Sequence, residues 1–298
     1  MLGGGIMGSG IAAVFQGHGW DVQVMSPSEK TRETLEVRVV AARDQMDPTG
    51  LQFGALRSLA SLVQVEWSEL DLVIEAVTED LALKQSLLRQ VEEFASECTV
   101  IASNTSTLAI SSISQGLKNP GRVLGAHFFM PAHIVPLVEV VGCDSSDSGC
   151  AQKLIRWLEE VGKRPIWVKK DIPGFVANRI QHALMREALY LIDEGVASPE
   201  DIDVAVRFGF GFRFIACGPI LQKEMSGWDT NAAAGTALYP NLTSSTVFSP
   251  TILAKLAQGR RGMKDLAGIW DWTESSVAET RAEIDARLKA GLLILKSM

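Results

Sequence analysis

Met1-Leu2-Gly3-Gly4-Gly5-Ile6-Met7-Gly8 opens the chain and holds the pattern Gly3-x-Gly5-x-x-Gly8. Behind it, Ser9 to Gln16 reads as a helix that Gly17 or Gly19 can end, and Val22-Gln23-Val24-Met25 reads as a strand. A glycine-rich turn alone says little. Followed by a helix and then a strand, it is the dinucleotide-binding signature of a doubly wound sheet. Gly3 permits the tight turn, Gly5 lets a pyrophosphate approach the backbone, and Gly8 lets helix and strand pack closely. Ile6 and Met7 belong to the same turn, where the helix N-terminus offers N–H groups and a positive dipole end. Gly3, Gly5, Ile6, Met7 and Gly8 are therefore expected to line a cofactor.

Two features depart from that pattern. Only Met1 and Leu2 lie before Gly3, against about five or six residues in a typical strand; the first strand is expected to be truncated. After the second strand, an NAD site usually places an acid for the ribose hydroxyls. Here the position is Ser26, followed by Pro27, Ser28, Glu29 and Lys30. Ser26 cannot repel a 2′-phosphate, and Ser28, Lys30 or Arg32 can bind one, while Glu29 can reach a ribose. NAD is the expected cofactor and NADP stays open.

Working outward, Thr31 to Val63 is mostly helical in pattern, interrupted by a turn at Asp47-Pro48-Thr49-Gly50. Leu72 to Val77 is apolar but for Glu75, as in a buried parallel strand. Thr78-Glu79-Asp80 opens a helix containing Lys84, and Thr99 to Ser103, Arg122 to His127, Val135 to Val141 and Pro165 to Val168 read as further strands. Strands alternating with helices predict an α/β fold with a parallel sheet. Glu79, Asn104, Ser106 and His127 fall at the carboxyl ends of strands, where such sheets bind ligands. From Lys169-Lys170-Asp171-Ile172-Pro173-Gly174 onward only helical patterns follow, with Gly209 to Arg213 as a break. The expected division is a Rossmann-type domain over 1–170 and an all-α domain over 171–298.

Composition narrows the class. Hydrophobic residues are 47 %, charged residues 21 %, and the net charge is −7, an ordinary globular balance that gives a nucleic-acid partner no support. No apolar run is long enough to span a bilayer and no signal peptide is visible. Cys98, Cys143, Cys150 and Cys217 lack metal-ligand spacing; reduced cytoplasmic thiols and no metal are expected.

Taken in order, Gly3-x-Gly5-x-x-Gly8, Glu75-Ala76-Val77-x-Glu79, Ser103-Asn104-Thr105-Ser106, Gly125-x-His127-Phe128-Phe129, Leu137-Val138-Glu139-Val140-Val141 and Gly174-Phe175-x-x-Asn178-Arg179 resemble the 3-hydroxyacyl-CoA dehydrogenase family. The likeness covers nearly the whole chain and is specific as a set. It implies an N-terminal Rossmann domain, a helical C-terminal domain that makes a homodimer, and hydride exchange between NAD(P) and an L-3-hydroxyacyl-CoA of fatty acid metabolism. It also implies roles. His127 matches the catalytic histidine, Glu139 the acid that orients it, and Ser106 and Asn178 the residues that hold the substrate oxygen. Glu79, Lys84 and Asn104 match positions beside the cofactor. The chemistry fits the types: alcohol oxidation needs a base near neutrality, and a carboxylate on the far ring nitrogen sets the tautomer. Blander readings stand beside these. Ser106 can be a helix N-cap, Asn178 a backbone bridge, and Lys84 a solvated lysine.

The pattern also departs from the family. Met130 follows His127-Phe128-Phe129 where Asn is frequent. Gly211-Phe212-Arg213-Phe214 resembles the branch of L-gulonate 3-dehydrogenase and lens crystallins, in which an arginine here can face a free carboxylate; Gly262 to Trp272 resembles the acyl-CoA branch. Arg213 is thus either a carboxylate clamp or a surface or interface residue. The thioester substrate is expected first, a free 3-hydroxy acid second, and a non-catalytic crystallin-like protein remains as a further alternative. A lysine-dependent hydroxyacid dehydrogenase fits less well, because no glycine-rich Gly-x-x-x-Lys helix follows Pro173-Gly174.

Overall fold

The computed structural model describes residues 1–46 and 50–296; the turn expected at Asp47-Pro48-Thr49-Gly50 lies outside them but for Gly50. The chain divides into two compact units, Met1–Arg179 and Ile180–Met298.

Among the described residues the first unit has seven strands: β1 (Val22–Met25), β2 (Leu56–Leu59), β3 (Leu72–Glu75), β4 (Val100–Ser103), β5 (Val123–Phe128), β6 (Leu137–Val141) and β7 (Arg164–Val168). β2 pairs β1, and β3 to β7 run in sequence order. Leu2 joins the two groups by parallel bridges to Met25 and to Glu75, so Met1–Gly3 occupies the middle of the sheet. Alternate strand residues pack on opposite faces, as the pleat requires. Val73, Ile101, Val123 and Val141 meet Leu88 and Val91 of the helix Leu81–Phe94. Ile74, Ala102, Leu124 and Val140 meet Ile11 and Val14 of Ile6–Gly17 and Leu154 and Leu158 of Ser148–Glu160. Both faces are covered, which is why these strands read as apolar runs.

Two differences from the sequence expectation have physical causes. Leu56–Leu59 is a strand rather than helix; only its ends are apolar and it lies on the edge, so neither period shows in four residues. β5 and β6 pair antiparallel. No helix links them, and a parallel return would need a crossover of a dozen residues or more. The sheet is thus parallel-dominated, with one reversed pair.

The second unit is helical, with Pro199–Val204, Pro219–Ser226, Trp228–Leu238, Pro250–Ala257 and Glu274–Lys296 among its helices; Ala177–Asp193 runs across the boundary into it. The expected break falls at Gly209, whose backbone leaves the helical region. Among the described residues of this unit, only Leu189, Ser249, Gly268 and Val277 are buried. No helix among the described residues is long and apolar enough to cross a membrane.

Candidate active site

The glycine turn is shaped by close approach. Gly3 has φ +92°, and a Cβ there would lie 2.6 Å from the Ala76 carbonyl oxygen; a Cβ at Gly8 would lie 1.9 Å from the Gly3 carbonyl oxygen. Nothing stands within 4 Å of a Cβ at Gly5, which caps the helix Ile6–Gly17 without a side-chain hydrogen bond. Ile6 is exposed beside it and Met7 is half-buried. An open helix N-terminus floored by two sterically obligatory glycines fits a pyrophosphate. At the end of β1, Ser26 is buried, donates its N–H to the Leu59 carbonyl and accepts from Arg32. Arg32 Nη1 is shared between the Ser26 and Pro27 carbonyls, both at 2.8 Å, and Ser28 caps the helix Glu29–Glu33. Two of the groups considered for a 2′-phosphate thus already have partners.

At the carboxyl ends of β3 and β4 a polar cluster ties the neighbouring loops together. Glu75 is fully buried and takes Lys84 Nζ at 2.7 Å, the Ser103 hydroxyl at 2.6 Å and the Val77 N–H at 2.7 Å. Lys84 also lies 3.3 Å from Glu79. Glu79 Oε1 accepts from the Thr105 hydroxyl and from the Ser106 and Thr107 N–H groups. Burial pushes the Glu79 carboxyl up, but Thr105, the Lys84 charge and the two amides outweigh it and hold it down at about 2. Lys84 is 1 % exposed, so its ammonium is turned inward to two carboxylates and holds the β3 and β4 loops in one arrangement. Asn104 accepts the Phe128 N–H on its side-chain oxygen at 2.8 Å, which ties β4 to the residue after His127.

The reversed pairing of β5 and β6 sets His127 directly opposite Glu139. The side chains meet with His127 Nδ1 2.7 Å from Glu139 Oε2, and both are buried. A carboxylate only accepts, so Nδ1 carries the hydrogen and donates, leaving the Nε2 lone pair free to take a proton. Glu139 Oε1 accepts the N–H groups of Val176 and Ala177, both at 2.9 Å. Burial pushes the Glu139 carboxyl up; the His127 bond and the two amides outweigh this and leave it below its ordinary value. One carboxylate thus orients the imidazole and caps the helix Ala177–Asp193.

Ser106 and Asn178 are half-buried. Ser106 gives its backbone N–H to Glu79, and Asn178 is the second residue of the helix capped by Glu139. Arg213 lies in the second unit, exposed, at the end of Gly211–Arg213. Met130 is 64 % exposed.

The roles of Phe175 and Lys163 around His127 have no signal in the sequence. Phe175 is buried at φ +45°, a rare conformation for a bulky side chain, with its ring 5.7 Å from the imidazole. Together with Phe129, at 4.5 Å, it gives His127 apolar walls. Lys163 Nζ donates to the Ala132 and Val135 carbonyls and pins the loop that follows His127. Glu75 carried a signal, an acid inside a buried strand, the same one that marks Glu139.

Family models match most of the chain: the 3-hydroxyacyl-CoA dehydrogenase NAD-binding domain over 1–172 and the 3-hydroxyacyl-CoA dehydrogenase C-terminal domain over 174–272. The chain belongs to the 3-hydroxyacyl-CoA dehydrogenase family. It is an oxidoreductase that uses NAD. It is similar to 5-formyl-3-hydroxy-2-methylpyridine 4-carboxylate 5-dehydrogenase of Mesorhizobium japonicum, with 29 % identity over 99 % of this chain and 97 % of that one. A crystal structure of an enzyme of that description, an NAD-dependent dismutase, superposes with TM-score 0.94 at 28 % identity, covering 99 % of this chain and 97 % of that one. The (S)-3-hydroxybutyryl-CoA dehydrogenase of Ralstonia eutropha superposes with TM-score 0.73 at 28 % identity, covering 92 % and 98 %.

Proposed function

We propose that the chain is a dehydrogenase interconverting an alcohol and its carbonyl form on a small free carboxylate substrate, with His127 as general acid/base. The observation that carries the proton-transfer role is the buried pair of His127 Nδ1 and Glu139 Oε2 at 2.7 Å. NAD supplies the hydride acceptor. His127 Nε2 takes the hydroxyl proton in the oxidation direction and returns it in reduction, while Glu139 stabilises the imidazolium and keeps the ring from turning. Ser106 and Asn178 hold the substrate oxygen, which fixes it before the reaction begins. Lys84 acts at one remove, by holding Glu79 and the loops after β3 and β4.

The free-carboxylate reading is supported by the 0.94 superposition, which spans both chains almost entirely, against 0.73 for the acyl-CoA enzyme. Arg213, which the resemblance to the L-gulonate 3-dehydrogenase branch offers for a carboxylate, is the residue whose substitution tests this reading. The acyl-CoA reading keeps the support of the matched family models. NAD reduction should be followed over a panel of hydroxy acids, pyridine carboxylates and 3-hydroxyacyl-CoA esters. A free acid is expected to give the highest kcat/KM. Arg213→Ala is expected to raise KM for that acid by roughly 10-fold or more, with little change for any CoA ester. A CoA ester turned over best, with the variant indifferent, gives the result to the acyl-CoA reading.

The assembly proposed is a homodimer made by the helical unit. A unit of this size with four buried residues among those described has no core of its own. Phe208, Phe212, Ile220 and Trp228 are exposed on its helices, and a second copy would cover such faces. Light scattering should give about twice the 32.3 kDa chain mass; a monomer rejects the assignment. The four free cysteines support the cytoplasm as its compartment.

A further inference from the structure

The helix Leu35–Arg43 buries Leu35, Val39 and Ala42 against Ala12 and Ala13 of Ile6–Gly17. Arg38 is three residues after Leu35 and four before Ala42, so it shares their face of the helix. That face turns its side chain toward the glycine turn.

The half-buried guanidinium of Arg38 ends on the turn itself. Nη1 donates to the Gly4 carbonyl at 2.6 Å and lies 3.4 Å from the Ser9 hydroxyl oxygen; Nη2 donates to the Thr31 carbonyl at 2.9 Å. Thr31 also packs on the turn, since a Cβ at Gly4 would lie 3.1 Å from its methyl group. One side chain thus ties the turn, the first turn of Ile6–Gly17 and the helix after β1 together.

Every one of these acceptors is neutral. Among the described residues no carboxylate makes an ion pair with Arg38, or with Arg32, whose Nη1 lies on the Ser26 and Pro27 carbonyls. Glu29, Glu33 and Glu36 on the same helices are exposed. An acid at the end of β1, as in the usual NAD pattern, would offset the charge; Ser26 does not. A guanidinium stays protonated, so the positive charge of Arg38 is held against the start of Ile6–Gly17. There the Ser9 N–H, given to the Gly5 carbonyl, is the first that the helix satisfies. Those of Ile6, Met7 and Gly8 come before the ladder begins. The helix end and the guanidinium therefore add their positive potentials at one place.

We propose that Arg38 is a cofactor-affinity residue: it holds the glycine turn in shape through the Gly4 carbonyl and supplies the unneutralised charge that draws in the diphosphate of NAD. With Ser26 in place of an acid, charge on the phosphates takes over anchoring that a carboxylate on the ribose would otherwise give. The proposal rests on the reading of Gly3 to Gly8 as the phosphate cradle and is independent of His127 and of the substrate.

The test measures binding on the full chain, Arg38→Met and Arg38→Lys, by NADH fluorescence and by displacement of NADH with ADP and with adenosine. Arg38→Met is expected to weaken NADH and ADP about 10-fold or more and adenosine less than about 2-fold, because adenosine carries no phosphate. The fall of ADP affinity with rising salt should be steep in the wild type and shallow in Arg38→Met. Arg38→Lys keeps the charge but not the planar fork, and is expected to keep the salt dependence and to bind ADP within about 3-fold of the wild type. Equal ADP affinity in wild type and Arg38→Met, or equal losses of ADP and adenosine, would overturn the proposal, the second because it marks a merely structural residue. If Arg38→Met does not fold, salt-independent ADP binding by the wild type, or by Arg38→Lys alone, overturns it instead. A wild type that binds NADH but not ADP rejects the cradle reading itself, whereas ADP binding that ignores residue 38 rejects only Arg38.

Discussion

His127→Ala is expected to lower kcat/KM by about 10²–10⁴-fold, the usual contribution of a positioned acid/base group, and to leave NADH affinity unchanged. The separation follows from where the parts lie. The proposed cofactor cradle, Gly3 to Gly8, lies at the start of Ile6–Gly17. The proposed proton-transfer group, His127, stands on β5 opposite Glu139 of β6. Removing the imidazole takes one of three donors from the buried Glu139 carboxylate and leaves the Val176 and Ala177 amides in place, so a modest loss of stability accompanies the loss of rate. His127→Gln separates the two effects. Its amide can donate to Glu139 but cannot take a proton at neutral pH, so Tm should recover while turnover stays low. Steady-state rates, a fluorescence titration with NADH and a thermal melt on each variant decide the matter. Wild-type turnover in either variant would remove His127 from the chemistry.

Glu139 gives the second large effect because it does two things at once. Glu139→Gln keeps a carbonyl oxygen for Val176 and Ala177, so the helix Ala177–Asp193 stays capped. Its amide nitrogen, however, meets Nδ1 as a donor and forces the imidazole into the tautomer with hydrogen on Nε2. That ring cannot accept a proton from substrate, and a fall in kcat of roughly 100-fold or more is expected with little change in Tm. Glu139→Ala loses the same rate and also leaves the part-buried Val176 and Ala177 N–H groups without their acceptor, at up to about 1 kcal/mol each. Tm should drop by roughly 5 °C or more. The contrast between Gln and Ala is the discriminating readout, since a merely structural acid would show full activity in the Gln form. The carboxylate stays ionised at neutral pH, because the hydrogen bonds from His127, Ala177 and Val176 outweigh its burial.

Much of this site can be read in the chain without coordinates. The glycine spacing places the turn, and the structure shows why each of two glycines is needed: a Cβ at Gly3 or Gly8 would strike backbone oxygen. An acid inside an apolar strand needs a partner, which singles out Glu139 and, equally, Glu75. Other parts are illegible in principle. Lys84 has the same helical context as a solvated lysine; only the placement of Glu75 beside it, nine residues earlier in the chain, shows an inward-turned cation. Phe175 reads as an ordinary apolar residue at a helix entry, and its φ of +45° is imposed by packing, not propensity. β2 is too short and too polar to show a period.

By itself the sequence determines the dinucleotide-binding turn, the alternation of apolar strands with helices, the change to helices alone after Gly174, and the candidates His127 and Glu139. These are local properties: a turn's steric demand, the period of a pattern, the ionisable type of a side chain. Only the tertiary structure decides that β5 and β6 run antiparallel, so that residues twelve apart in the chain stand face to face. It alone decides that Glu139 also caps a helix that begins nearly forty residues later. Strand direction and helix docking arise from pairing and packing between distant segments. Those energies belong to pairs of residues, and no single stretch of the chain contains both members.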